Sequence, residues 1–206
     1  MPHPKFHILY SDIGGVLGTN GWDTSLRRRI AEHFQIESPE LESRHKLNFD
    51  TYERGFITFE KYLTYVFFDS PRTFTVEQVR DYAYAASTPW PQNIGFYQKL
   101  KAANQLKLGL ISNEGMGLTE HRVRKFRLRD LADFMVFSHA THLRKPDPEI
   151  WRLALNLAQA TPEESIYIDD RPMFVEVAAE YGFTAIHYTS LEKLARQLSS
   201  LGLVVT

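Results

Sequence analysis

Five short apolar runs, each halted by polar residues, limit what this chain can fold into. Phe6-His7-Ile8-Leu9-Tyr10 stops at Ser11-Asp12, and Leu106-Lys107-Leu108-Gly109-Leu110-Ile111 stops at Ser112-Asn113. Phe134-Met135-Val136-Phe137 stops at Ser138-His139, Ser165-Ile166-Tyr167-Ile168 at Asp169-Asp170, and Thr184-Ala185-Ile186-His187-Tyr188 at Thr189-Ser190. Runs of this length, rich in β-branched and aromatic side chains, read as buried strands. Helical spacing fills the gaps: Ile94, Tyr97, Leu100 and Ala103 behind Pro91, and Ile150, Leu153, Ala154 and Leu157 behind Pro148. Val175, Ala178 and Ala179 precede a C-terminal stop at Gly182, and Ser190 caps a last helix through Leu191, Leu194 and Leu198. Strands alternating with helices predict an α/β fold, a parallel sheet covered on both faces.

One gap is too long for a simple crossover. From about Thr19 to Thr88 no strand-then-polar run recurs. Leu26, Ile30 and Phe34 fall at helical spacing, Tyr52 to Phe68 is rich in aromatics, and Thr75-Val76-Glu77-Gln78 has the form of a capping box. An unstructured loop of that length is improbable, so the gap predicts an inserted helical domain over residues 19–88 and a core domain made of 1–18 and 89–206.

Composition excludes several classes. Of 206 residues, 43% are hydrophobic and 24% charged, an ordinary folded mixture. The formal charge of -1 gives no general attraction to nucleic acid or an anionic membrane, so neither is expected as a partner. No apolar run approaches the ~18 residues of a spanning helix. The lead-in Met1-Pro2-His3-Pro4-Lys5 does not resemble a secretory signal. With no cysteine there are no disulfides, thiolate catalysis or Cys-based metal sites, and a reducing cytoplasm is the expected location.

In open parallel sheets, ligands bind beyond the carboxyl ends of the strands. Those ends deliver Asp12, then Ser112 and Asn113, then Lys145 in Lys145-Pro146-Asp147-Pro148, then Asp169 and Asp170. Together they offer a carboxylate nucleophile, hydroxyl and amide donors, a fixed cation and an acidic pair. In this order the segments Ile8 to Leu17, Leu110-Ile111-Ser112-Asn113, Arg144 to Pro148 and Ile166 to Asp170 resemble the four motifs of the haloacid dehalogenase-like hydrolase superfamily. The resemblance spans essentially the whole chain. It implies a Rossmann-like core with a small helical cap of the subfamily I type.

The resemblance also implies roles. Asp12 would be the nucleophile, forming an aspartyl intermediate. Ser112 and Asn113 would bind the transferred group, and Lys145 would neutralise charge on nucleophile and substrate. Mg²⁺ would be held by Asp12, the backbone carbonyl of Gly14, Asp170, and Asp169 either directly or through a neighbour. Elementary electrostatics points the same way, because two unit charges ~4 Å apart at an effective dielectric of ~20 repel by about 4 kcal/mol. A lysine and a divalent ion with oxygen ligands would offset that repulsion.

The chain departs from the pattern at Gly14, where most phosphatases of the superfamily carry a second aspartate as general acid and base. Such a group is worth ~10²–10⁴-fold, so its loss argues against phosphomutase chemistry and favours good leaving groups. The expected activity is Mg²⁺-dependent hydrolysis of a small phosphorylated metabolite, such as a sugar phosphate. The alternatives are a haloacid dehalogenase-type hydrolase acting at carbon, or a catalytically impaired binding protein on the same fold. Of the remaining polar residues, His139 and His142 read as surface histidines, less readily as substitutes for the missing acid. Arg144 and Arg171 would steer phosphate or pair with neighbouring acids, and Arg27-Arg28-Arg29 reads as the solvated face of a helix. Tyr52, Phe56, Phe59, Tyr62, Tyr65, Phe67 and Phe68 read mostly as the cap's own core.

Overall fold

In the computed structural model, residues 5–205 are described; the N-terminal lead-in assessed above lies, but for Lys5, outside them, as does Thr206. The chain runs β1 (Ile8–Ser11), α1 (Thr24–Phe34), α2 (Ser38–Glu53), α3 (Phe59–Phe67), α4 (Val76–Ala86) and α5 (Pro91–Asn104). It continues through β2 (Lys107–Ser112), α6 (Leu118–Lys125), α7 (Leu128–Leu131), β3 (Phe134–Phe137), α8 (Ser138–Thr141) and α9 (Pro148–Ala158). After a 3₁₀ turn at Pro162–Glu164 it ends with β4 (Ser165–Asp169), α10 (Pro172–Glu180), β5 (Thr184–His187) and α11 (Leu191–Ser200).

The five strands form one parallel sheet in the order β3-β2-β1-β4-β5. The chain builds outward from β1 to β3, then returns to place β4 on the other side of β1. The strand order therefore reverses at β1 and β4, where a crevice opens beyond their carboxyl ends. Alternation along the strands splits the core into two layers. Leu9, Leu108, Leu110, Ile166 and Ile168 face α5 and α11 through Tyr97, Leu100, Leu194 and Leu198. Ile8, Tyr10, Ile111 and Tyr167 face α9 and α10 through Ile150, Trp151, Ala154 and Ala178. Both faces being covered explains why these strands read as continuous apolar runs.

The expected helices form. Pro91 and Pro148 open theirs, Ser190 accepts from Lys193 N at 3.3 Å, and the Thr75–Gln78 capping box is made from both sides. Helices α1 to α4 surround a separate apolar cluster that includes Leu26, Ile30, Tyr52, Phe59, Tyr62 and Phe67. The two connections into this helical unit run side by side. Thr19 N donates to Thr88 O and Trp90 N to Leu17 O, each at 2.9 Å, around an antiparallel bridge between Gly18 and Pro89.

One expectation fails here. Arg28 and Arg29 face solvent, but Arg27 does not: it is 5% exposed. Its Nε and Nη2 donate to the two carboxylate oxygens of Glu42 at 2.7 and 2.8 Å, and Nη1 donates to Trp22 O at 2.9 Å. The planar guanidinium fits a carboxylate with two parallel bonds, which offset the cost of burying the charge between α1 and α2. Of the aromatic group, Tyr52, Phe59, Tyr62 and Phe67 are buried, whereas Phe56 and Tyr65 are exposed.

Candidate active site

Beyond the ends of β1, β2 and β4 the sequence leaves the sheet at polar residues, and the helical unit roofs them. Between them lies a cavity of about 850 Å³, within the usual range of small-molecule sites. Its floor is polar and its roof carries Trp22, Phe49 and Tyr52.

Asp12 follows β1 directly. Its N–H continues the ladder to Ile168 O at 2.9 Å, which aims its side chain into the crevice. Ser112 ends β2, is buried, and sits close enough for its hydroxyl to stabilise the Asp12 carboxylate. Lys145 is 1% exposed. Its Nζ donates to Asp12 Oδ1 at 3.1 Å, Asp169 Oδ2 at 2.6 Å and Ile111 O at 3.1 Å, so all three ammonium protons are engaged. Burial works against the Lys145 charge, but Asp12 and Asp169 outweigh it and hold its pKa well above the ordinary value.

Asn113, expected to touch the transferred group, lines the cavity and has its side chain engaged with the backbone of Lys145. Its Oδ1 accepts from Lys145 N and its Nδ2 donates to Lys145 O, both at 2.8 Å. This pair of bonds fixes the loop that carries the ammonium.

The adjacent aspartates differ sharply. Asp169 is fully buried and satisfied: Oδ2 takes Lys145 and the Tyr167 hydroxyl, and Oδ1 accepts from Arg171 N at 2.9 Å. Asp170 is half-buried, and its buried Oδ1 has no hydrogen-bond partner. Burial, then Asp12 and Asp169, push its carboxyl up to about 6, with Arg171 opposing from 3.8 Å. One carboxylate oxygen from each of Asp12, Asp169 and Asp170 lies within 4.8 Å of the others. An all-oxygen cluster of this charge, with an orphaned oxygen on Asp170, fits a hard divalent cation such as Mg²⁺.

The turn after β1 is shaped for this crowding. Gly15 has φ +67°, and a Cβ there would come 2.2 Å from Asp170 Oδ2, so only glycine lets the turn approach the acid. At Gly14 a Cβ would come 2.8 Å from Asn20 Oδ1. The place beside Gly14 is therefore taken by Asn20, whose Nδ2 points to Asp170 Oδ2 at 3.5 Å.

His139 and His142 lie at the seam between core and helical unit, outside the cavity lining. His139 Nδ1 meets Glu114 O at 2.8 Å and His142 Nδ1 meets Arg54 O at 2.6 Å. Arg144 pairs with Asp50 at 3.0 Å and with Glu53. Sequence reasoning did not single out Asn20, Glu53, Glu114 or Arg122, all of which line the cavity. Arg122 is fully buried, paired with Glu114, and donates to Thr19 O at 2.7 Å. None of the four ends a strand or carries a spacing signal; packing alone brings them in.

The sequence model of the haloacid dehalogenase-like hydrolases matches residues 19–187, and the chain belongs to that family of hydrolases. The match begins after Asp12. Among relatives, flavin mononucleotide hydrolase 1, a chloroplast protein of Arabidopsis thaliana, is 27% identical over 170 residues, 81% of this chain and 66% of that protein. A phosphorylated carbohydrates phosphatase of Thermotoga maritima is 31% identical over 85 residues, 41% of this chain and 39% of its own. An (S)-2-haloacid dehalogenase of Xanthobacter autotrophicus is 28% identical over 120 residues, 57% of this chain and 46% of its own. The chain thus spans just under two thirds, or less, of the curated relatives it matches. A haloacid dehalogenase-family enzyme of Bacteroides thetaiotaomicron superposes with a TM-score of 0.80 at 19% identity, covering 94% of this chain and 98% of that one. The same enzyme has been solved with magnesium and inorganic phosphate, and that structure superposes at 0.76.

Proposed function

We propose that this protein is a Mg²⁺-dependent phosphatase of a small phosphorylated metabolite, acting through an aspartyl-phosphate at Asp12. The observation that carries the reading is the meeting of the Asp12 carboxylate, the buried Lys145 ammonium and the unpaired Asp170 oxygen at the floor of one roofed cavity. Asp12 attacks phosphorus while Lys145, held in place by Asn113 and Asp169, neutralises the nucleophile and the incoming charge. The Ser112 hydroxyl, in the cavity lining, binds an oxygen of the phosphoryl group. When bound by Asp12, Asp170 and the Gly14 carbonyl, Mg²⁺ would lower the repulsion between phosphate and carboxylates. Asp169, fully engaged elsewhere, acts as the residue that positions Lys145.

Residues 19–88 act as the cap over this floor. Its aromatic side chains at Trp22, Phe49 and Tyr52 suit a substrate with an apolar or ring-bearing body, in keeping with relatives named for flavin mononucleotide and for phosphorylated carbohydrates. Phosphate release from a panel of sugar, nucleotide and acyl phosphates tests the reading: Mg²⁺-dependent turnover supports it, and no hydrolysis across the panel rejects it. Asp12→Asn is expected to abolish activity in a folded protein. Asp170→Asn is expected to remove Mg²⁺ binding measured by calorimetry, an assay that needs no substrate.

A second reading has one observation in its favour: the residue beside the nucleophile is Gly14, and a haloacid dehalogenase is among the relatives. Halide release from short 2-haloacids, unaffected by a chelator, would favour it over the phosphatase.

A further inference from the structure

The phosphatase reading leaves the departing oxygen without a proton donor at Gly14, and Asn20 closes the space where one would stand. Five carboxyl side chains line the cavity: Asp12, Asp23, Glu53, Glu114 and Asp170. Asp12 and Asp170 belong to the charged centre. Asp23 caps α1, with Leu26 N donating to its Oδ1 at 2.7 Å. Glu114 is already paired with the fully buried guanidinium of Arg122.

Glu53 is different. It ends α2 and is 5% exposed, so a charge there is poorly solvated. Its Oε2 lies in ion-pair range of Arg144, but Arg144 is 29% exposed and shared with Asp50, and this buried oxygen takes no hydrogen bond among the described residues. Burial raises the Glu53 pKa and outweighs Arg144 and Lys145, while Asp50 adds to the rise. The phenols of Tyr52 and Tyr62 are the other titratable groups within its field. The backbone holds it against the core: Ser138 Oγ donates to Glu53 O at 2.7 Å, and Arg54 Nη1 donates to His142 O at 2.9 Å. A buried carboxyl group that burial biases towards holding its proton is thus brought to the cavity lining by the roof.

We propose that Glu53, delivered by the closed helical unit, is the general acid and base of the hydrolysis in place of the group missing at Gly14. This rests on the phosphatase reading. In the first half-reaction the Asp12 Oδ–P bond forms as the P–O bond to the alcohol breaks, and the Glu53 proton passes to the departing oxygen. In the second, water attacks phosphorus and gives its proton to the Glu53 carboxylate. The Asp12–P bond breaks, phosphate leaves, and both side chains return to their starting states.

The test compares an alkyl phosphate, whose alkoxide needs a proton to leave, with p-nitrophenyl phosphate, whose phenolate leaves readily. Glu53→Gln is expected to lower kcat/KM, which reports the first half-reaction, by ~10²–10⁴-fold on the alkyl ester and by less than about tenfold on the p-nitrophenyl ester. Equal losses on both would give Glu53 a structural role only, and no loss on either would remove it from the reaction; either result overturns the proposal. Should Glu53→Gln not fold, the wild-type rates across esters of graded leaving-group pKa decide. A shallow dependence supports proton donation and a steep one overturns it. Wild-type protein inert towards both esters would instead reject the phosphatase reading itself.

Discussion

Asp169 and Asp170 are neighbours in the chain and opposites in environment. The first has every oxygen engaged, and the second keeps one oxygen free at the cavity. Removing the ammonium that joins Asp12 to Asp169 leaves two buried carboxylates unpaired. Lys145→Met is therefore expected to cost ~3–5 kcal/mol at neutral pH, with the deficit shrinking at lower pH as the carboxyls protonate; denaturant midpoints at the two pH values measure it. A second expectation concerns Gly14. Gly14→Asp alone should destabilise, because its Cβ meets Asn20 Oδ1, and Asn20→Gly should relieve most of that cost in the double variant. Additive stability changes would show that the two positions do not compete for space. Asp12, Ser112 and Asp170 were legible in the sequence because each stands at the end of an apolar run that reads as a buried strand, and Lys145 because its Lys-Pro-Asp-Pro loop resembles the third motif. Asn20 and Glu53 were not, because their place at the site depends on how the helical unit seats on the sheet. No local pattern encodes that seating.

At the level of elements, the legible helices are those whose buried stripe is apolar. Helix α2 hides its stripe: Leu41, His45, Phe49 and Tyr52 share one face, and the histidine interrupts the hydrophobic period. Helix α6 hides its own in the same way, burying Thr119 and Arg122 beside Leu118 and Val123. The histidine in α2 is held by a buried network in which Trp22 Nε1 donates to the Tyr62 hydroxyl at 2.8 Å and that hydroxyl meets His45 Nδ1 at 2.7 Å. Burial, with Arg27 nearby, lowers the His45 pKa to about 4. The unfolded chain, titrating near the ordinary 6.5, binds this proton first as pH falls. Stability is expected to be full above pH ~7 and to decline by up to ~3 kcal/mol towards pH ~4 from this group. Chemical denaturation of wild type and of His45→Gln across that range separates its share. Tyr62→Phe should cost ~1–3 kcal/mol by leaving both the indole N–H and the imidazole without their partner.

The molecule as a whole is a sheet-based core and a helical roof. They meet at the pair of connections around Gly18 and Pro89, at α4 against α6, where Tyr84 stacks on His121, and at the seam where Arg54, Phe56 and Glu53 meet His142, Ser138 and Arg144. Phe56 lies flat on the His142 ring with centroids 4.8 Å apart. Loosening the seam with His142→Ala and Arg54→Ala together is expected to speed amide exchange in the last turns of α2 while leaving β1, β2 and β4 protected. Uniform acceleration everywhere would mean the seam supports global stability and not local closure. The paired connections have a further consequence. Their backbone bonds already form the neck of a hairpin, with Thr19 beside Thr88 and Leu17 beside Trp90. The chain could be excised between those points and rejoined by a tight turn with the sheet's register intact. Only the few side chains beneath the roof, Leu118 foremost, would need polar replacements for such a shortened protein to stay in solution.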